Sequence, residues 1–144
     1  MSTIEALENA IDAENAAIFT YGVSTAFVGS GDRAAVGEYI AAHRVRRDEL
    51  NEDLVALGAP ARQAAAGYRL PVEVTGPESA ATALLSAETE CARAFRAMAE
   101  QVDTAALRVR AVDGLTDSAL RAAHWRGSLG RSPVTTAFPG TAQA

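Results

Sequence analysis

The stretch Gly58-Ala-Pro-Ala-Arg-Gln-Ala-Ala-Ala-Gly67-Tyr68-Arg-Leu-Pro71-Val-Glu-Val-Thr-Gly76-Pro77 decides the fold of this chain. Its recurrent Gly and Pro forbid a continuous helix. It is also far longer than an ordinary connection inside a compact domain. It reads as an extended strap laid across the outside, with Tyr68, Leu70, Val72 and Val74 packing down.

On either side the sequence has helical period. The N-terminal side divides into a helix over about Ser2–Val28 and a second over about Arg33–Leu57, separated by Gly29-Ser-Gly31-Asp32. Ser2 or Thr3 caps the first, with Glu5 placed for a capping box. Gly58 and Pro60 stop the second. The C-terminal side divides into helices over about Glu78–Val102 and from Asp103 or Thr104 to Leu129-Gly130, the latter with a possible kink or break at Asp113-Gly114. A tight turn makes each pair an antiparallel hairpin. The strap is long enough to run the length of a helix. The expected architecture is therefore an all-α four-helix bundle of two hairpins joined by one long crossover, not a simple up-down-up-down bundle. Residues 1–131 form this bundle, with the crossover at 58–77, and residues 132–144 form a tail.

Composition agrees. Alanine supplies 33 of the 144 residues and aromatics only 6%, which favours helices and disfavours a sandwich or barrel. The net charge of −5 argues against general binding of nucleic acid or anionic membrane. The single Cys91 excludes an internal disulfide and a Cys-based zinc site. No secretory signal or membrane span is read from the sequence, so a cytoplasmic location is expected. Gly29-Ser-Gly31 lacks a phosphate-loop lysine. Arg44, Arg46 and Arg47 are followed by Asp48, Glu49 and Glu52, so an Arg44–Asp48 pair on a solvated helix face is expected. Cys91 reads as an inert core thiol, and His124-Trp125 as a surface pair packed against Pro133, Phe138 and Pro139.

The core seams carry the chemistry. Helix one presents Ile4, Leu7, Ile11, Glu14, Ile18, Tyr21, Thr25 and Val28 at bundle spacing. Helix two presents Val36, Ile40, His43, Arg47, Leu50, Leu54 and Leu57, and helix three Leu84, Glu88, Cys91, Phe95, Met98 and Val102. Helix four allows two stripes, Val109-Asp113-Thr116-Leu120-Ala123 or Val112-Leu115-Ala119-Ala122. Glu14 and Glu88 fall on seams, and a buried carboxylate is costly unless paired or ligated. Two readings follow. Glu14, His43 and Glu88 converge on a metal, for which iron is the candidate. Alternatively they form a buried ion-pair network in which Arg47 supplies the positive charge.

The layout resembles the ferritin-like superfamily, and more closely its alanine-rich actinobacterial domain family of unknown function. The resemblance rests on Ala13-Glu-Asn-Ala-Ala-Ile-Phe-Thr-Tyr-Gly22, Ala42-His-Arg-Val-Arg-Arg-Asp-Glu-Leu50, Tyr68-Arg-Leu-Pro71 and the C-terminal run Ala123–Gly140. It implies the bundle fold and oligomerisation, and no established activity. Iron-binding members carry a Glu on helices one and three and a Glu-x-x-His on helices two and four. Glu14 with Tyr21, and Glu88, match the first set. Folding the hairpins about Gly31 and Thr104 sets the second set near Arg47 and Leu50 and near Asp117-Ser-Ala-Leu120, which are not Glu-x-x-His.

The function expected is a non-enzymatic bundle with a degenerate metal site, acting through self-association or partner binding. A metal-dependent oxidoreductase is the alternative. A small-molecule binder with a pocket around Tyr21, His43 and Glu88 is a third. A homodimer is expected through the first hairpin, whose outer faces carry Ala16, Ala17, Phe19, Val23 and Phe27, and Ala34, Ala35, Ala41, Ala42 and Val45.

Overall fold

A computed structural model describes residues 1–142. Helix α1 spans Thr3–Ser24, a short 3₁₀ turn Ser30–Asp32, α2 Arg33–Ala56, α3 Pro77–Gln101 and α4 Ala105–Ser128. Residues 57–76 contain no helix or strand.

Local chemistry sets the ends. The Ser2 hydroxyl accepts from the Glu5 amide, and the Glu5 carboxylate accepts from the Ser2 amide, a complete capping box. Helices α2 and α4 stop identically. Gly58 (φ +87°) and Gly130 (φ +68°) take the left-handed conformation. The next amides, Ala59 and Arg131, then donate back to the Leu54 and Arg126 carbonyls. This is the Schellman geometry that glycine permits at no steric cost. Helix α3 opens on Pro77, and the Thr104 hydroxyl caps α4.

The first helix ends at Ser24, four residues short of the Val28 expected from period. Residues 25–32 form the turn instead. Asp113-Gly114 does not divide α4, which is one continuous helix. Gly114 is there for space: a Cβ at that position would lie 2.6 Å from the Phe95 ring of α3.

Helix α1 packs on α2 and on α3, and α3 packs on α4. Thr3 at the start of α1 meets Asp103 just beyond α3. Asp32, before α2, meets His124 and Ser128 at the end of α4. Thus α1 runs antiparallel to α3, α2 antiparallel to α4, and α2 parallel to α3. Only a crossover running the length of the bundle can join two helices that point the same way. The segment after α2 is anchored low on α1 by Arg62 to Asp12 at 2.8 and 2.9 Å. Higher up, Tyr68 packs on Phe19 with ring centroids 5.6 Å apart, and Val74 joins the far core. Tyr68, Leu70, Val72 and Val74 are each half-buried, alternating with exposed Arg69, Pro71, Glu73 and Thr75. The strap and the two-hairpin bundle are as expected.

The α2–α4 side is spanned by long ion pairs, Arg46 to Asp117 at 2.5 Å and Arg110 to Asp53 and Glu49 at 2.5 and 2.9 Å. Two apolar clusters fill the interior. Leu7, Ile11, Leu50, Leu54, Phe95 and Met98 lie at one end, and Tyr21, Val36, Leu84 and Trp125 at the other. A layer of charged side chains separates them.

Candidate functional site

Each helix contributes one charged residue to that layer. Glu14 comes from α1, His43 from α2, Glu88 from α3 and Arg121 from α4. Glu14, His43 and Glu88 are wholly buried, and Arg121 nearly so. His43 bridges the carboxylates. Its Nδ1 stands 2.5 Å from Glu14 Oε2 and its Nε2 2.6 Å from Glu88 Oε1. An imidazole that donates from both nitrogens carries both protons and a positive charge. The Nε of Arg121 donates to both Glu88 oxygens, at 3.2 and 3.3 Å. The Tyr21 hydroxyl donates to Glu88 Oε1 at 2.8 Å and accepts the indole N–H of Trp125 at 2.8 Å. Two carboxylates thus face two cations, and the layer is electrically balanced.

The titration behaviour follows from this balance. Burial alone disfavours a charged His43, but the Glu88 and Glu14 carboxylates override it and raise the ring to about 9. Burial would raise Glu88, yet the His43 and Arg121 charges and the Tyr21 hydroxyl hold it below the ordinary carboxylate range. Burial, with Glu88 beside it, pushes the Tyr21 hydroxyl up. Cys91 lies alongside, fully buried, its S–H donating to the Ala13 carbonyl at 3.4 Å. Burial first, and then the two carboxylates, raise its thiol.

Glu14, His43 and Glu88 therefore come together as read from the seams. Arg47 does not join them. It lies on the surface beside Asp48, its Nε 3.0 Å from the Asp48 carboxylate, and the core cation is Arg121. The reason is register. Glu14 is level with His43, so the first hairpin is centred between Val28 and Gly29, not on Gly31. Arg47 is four residues beyond the layer. Asp48 takes Arg47 rather than Arg44, which is exposed.

The first stripe proposed for helix four faces outward, and of the second only Ala122 is buried, with Leu115 packing partly against the core. The buried face is Ala111, Gly114, Ser118, Arg121, Ala122 and Trp125, while Val109, Val112 and Leu120 are exposed. Arg121 and Trp125 were missed because small and polar residues make up the inward stripe. The 4-3-4 spacing of Gly114, Ser118, Arg121 and Trp125 was the available signal. Trp125 is not a surface residue but a core one, against Tyr21. His124 instead meets Asp32 at 2.9 Å and the Tyr39 ring edge-on. Phe138 is exposed, and the tail seats Gly140 against Ala92 and Arg96 of α3. Tyr21, His43 and Glu88 touch one another and fill the space in which a ligand pocket was considered.

The family model described as a domain of unknown function, DUF4439, matches residues 6–143. No curated protein matches the chain. Among solved structures, the conserved hypothetical protein rv2844 from Mycobacterium tuberculosis is 39% identical. It superposes with a TM-score of 0.87 over 95% of this chain and 96% of that one. A structure described as ferritin-like, diiron-carboxylate proteins from Bacillus anthracis superposes with a TM-score of 0.76. It is 19% identical, over 88% of this chain and 94% of that one, and so shows a shared fold.

A di-iron centre in such a bundle needs two Glu residues and two Glu-x-x-His pairs. In this chain the inward i, i+3 positions of α2 and α4 are Ile40 with His43 and Ser118 with Arg121. Two carboxylates and one imidazole are lost or replaced. A guanidinium occupies the layer, and both His43 nitrogens are engaged by carboxylates. These residues do not fit a di-iron centre. The chain is a ferritin-like four-helix bundle and belongs to the DUF4439 family of domains of unknown function.

Proposed function

We propose that this protein is a non-enzymatic ferritin-like bundle in which a closed ion network stands where related folds place a di-metal centre, and that it acts by self-association. The bridging of Glu14 and Glu88 by His43, completed by Arg121, carries this reading. The network supplies within the chain the positive charge that two metal ions supply elsewhere. It needs no cofactor to stabilise the fold.

The surface supports association. The outer face of α4 carries Val109 (61% exposed), Val112 and Leu120 (64% exposed), with Thr116 and Ala123 on the same stripe. An apolar stripe of 3-4 spacing that faces outward is suited to a second helix. On the first hairpin, Phe19 is partly covered by Tyr68 of the strap, which weakens that face as the contact. Two α4 helices meeting antiparallel about a two-fold near Thr116 would set Val112 against Leu120.

Metal analysis of protein isolated from iron-supplemented cells tests the core reading. The expected result is no stoichiometric iron. Two iron atoms per chain would overturn it.

A further inference from the structure

We propose that Glu14, His43 and Cys91 form a mononuclear site for a divalent cation of zinc type, distinct from a di-iron centre. The inference goes beyond the self-association reading and takes from it only the ion network. One ligand atom from each of the three residues lies within 4.8 Å of the others, and all three residues are buried. A second observation singles out Glu14. Its Oε1 is buried and has no hydrogen-bond partner among the described residues, although unpaired buried carboxylate oxygens are costly. That oxygen is an unused ligand in a cluster that already holds an imidazole and a thiol.

The chemistry of the set selects the cation. The lone Cys91 rules out a zinc site built on cysteines alone, but one S, one N and one O donor suit zinc-type ions, which take four-coordinate sites with these atoms at roughly 2.0–2.3 Å. Three protein ligands leave one coordination position open. The outer contacts are already in place. His43 uses Nδ1 toward Glu14, while Nε2 faces Glu88 at 2.6 Å. With the metal on Nδ1, the ring keeps its Nε2 proton and donates it to Glu88. This is the carboxylate–histidine–metal arrangement that fixes a ligand's tautomer. Arg121 and Tyr21 in turn hold Glu88, so Arg121 serves the second carboxylate and not the metal.

Charge closes the argument. Without metal, Glu14 and Glu88 balance protonated His43 and Arg121, and Cys91 is a thiol. When the cation binds, the Nδ1 proton of His43 and the Sγ proton of Cys91 pass to solvent, and a sulfur–metal bond forms. Two positive charges enter and two leave, with no electron transferred. Burial holds the thiol protonated in the metal-free protein, but a coordinating cation deprotonates a thiol outright.

Cobalt(II) is the probe, because a thiolate–cobalt bond gives a near-ultraviolet charge-transfer band and a tetrahedral site gives visible bands. The buried site calls for loading as the protein folds. The full chain is therefore isolated from cobalt-supplemented minimal medium and, separately, refolded from urea with cobalt present. One cobalt per chain with the charge-transfer band is expected from either route. Cys91 is the only cysteine, so the band has one source within the chain. Cys91→Ser should lose the band and weaken retention at least ten-fold while keeping its helical circular dichroism. Wild-type protein that shows no thiolate–cobalt band by either route overturns the site without touching the self-association reading, which light scattering tests, whereas two bound irons per chain would overturn the closed ion network.

Discussion

Arg121 on α4 reaches across to α3 and places its Nε 3.2 and 3.3 Å from the two carboxylate oxygens of Glu88. Glu88 is fully buried and cannot exchange this partner for water. The same carboxylate receives His43 and Tyr21, so all four helices are tied through one residue.

The first prediction follows directly. Arg121→Met strands part of the charge on Glu88 and should destabilise the fold by about 3–5 kcal/mol, the penalty for breaking a buried pair. Arg47→Met removes only a surface contact to Asp48 and should cost less than about 1 kcal/mol. Urea unfolding of both variants makes the comparison. Equal losses would mean that Arg121 is not the core cation.

Stability should fall on the alkaline side. His43 has a folded value of about 9, above its ordinary 6.5, so its contribution is complete below 6.5 and is lost as pH rises through 9. That interval corresponds to roughly 3 kcal/mol. Glu88 lies below its ordinary 4.5, so its contribution is present above 4.5 and is lost as pH falls through the folded value. Metal-free protein should be most stable between about pH 4.5 and 6.5 with respect to these two groups. Melting curves across pH test this, and His43→Gln should remove most of the decline between 6.5 and 9.

Gly114→Ala should destabilise by about 1–3 kcal/mol through overpacking. The added Cβ would lie 2.6 Å from ring atoms of Phe95, which is itself fully buried. The measurement is a double-mutant cycle. Phe95→Leu alone leaves space at the α3–α4 contact, and combined with Gly114→Ala it should recover part of the loss. Purely additive effects would place the cost in the backbone and not in the clash.

The oligomer is tested on α4. The wild-type protein should scatter light as twice the 15.0 kDa chain. Val109→Lys with Leu120→Lys should halve the mass without lowering helix content, while Phe27→Glu on the first hairpin should leave it unchanged. Dissociation by Phe27→Glu alone would move the interface to that hairpin.

Much of this protein is local and therefore legible in one dimension. Helix period, the Ser2–Glu5 cap, the Gly58 stop and the strap between Gly58 and Pro77 depend on neighbours a few residues away. So does the inward placement of Glu14, His43 and Glu88, each set by the apolar seam of its own helix. The rotation of α4 was not legible, because its core face is Gly114, Ser118 and Arg121 while its clearest apolar stripe faces out. The height of one helix against the next was not legible either. It depends on how residues 25–32 turn, and that turn pairs Glu14 with His43 instead of Asp48. The difference is five residues along α2, about 7.5 Å at 1.5 Å per residue, enough to exchange one charged side chain for another. Side-chain chemistry along each helix is written in the sequence, but the partner that neutralises a buried charge is chosen by turn conformation and helix rotation, which only the packed bundle determines.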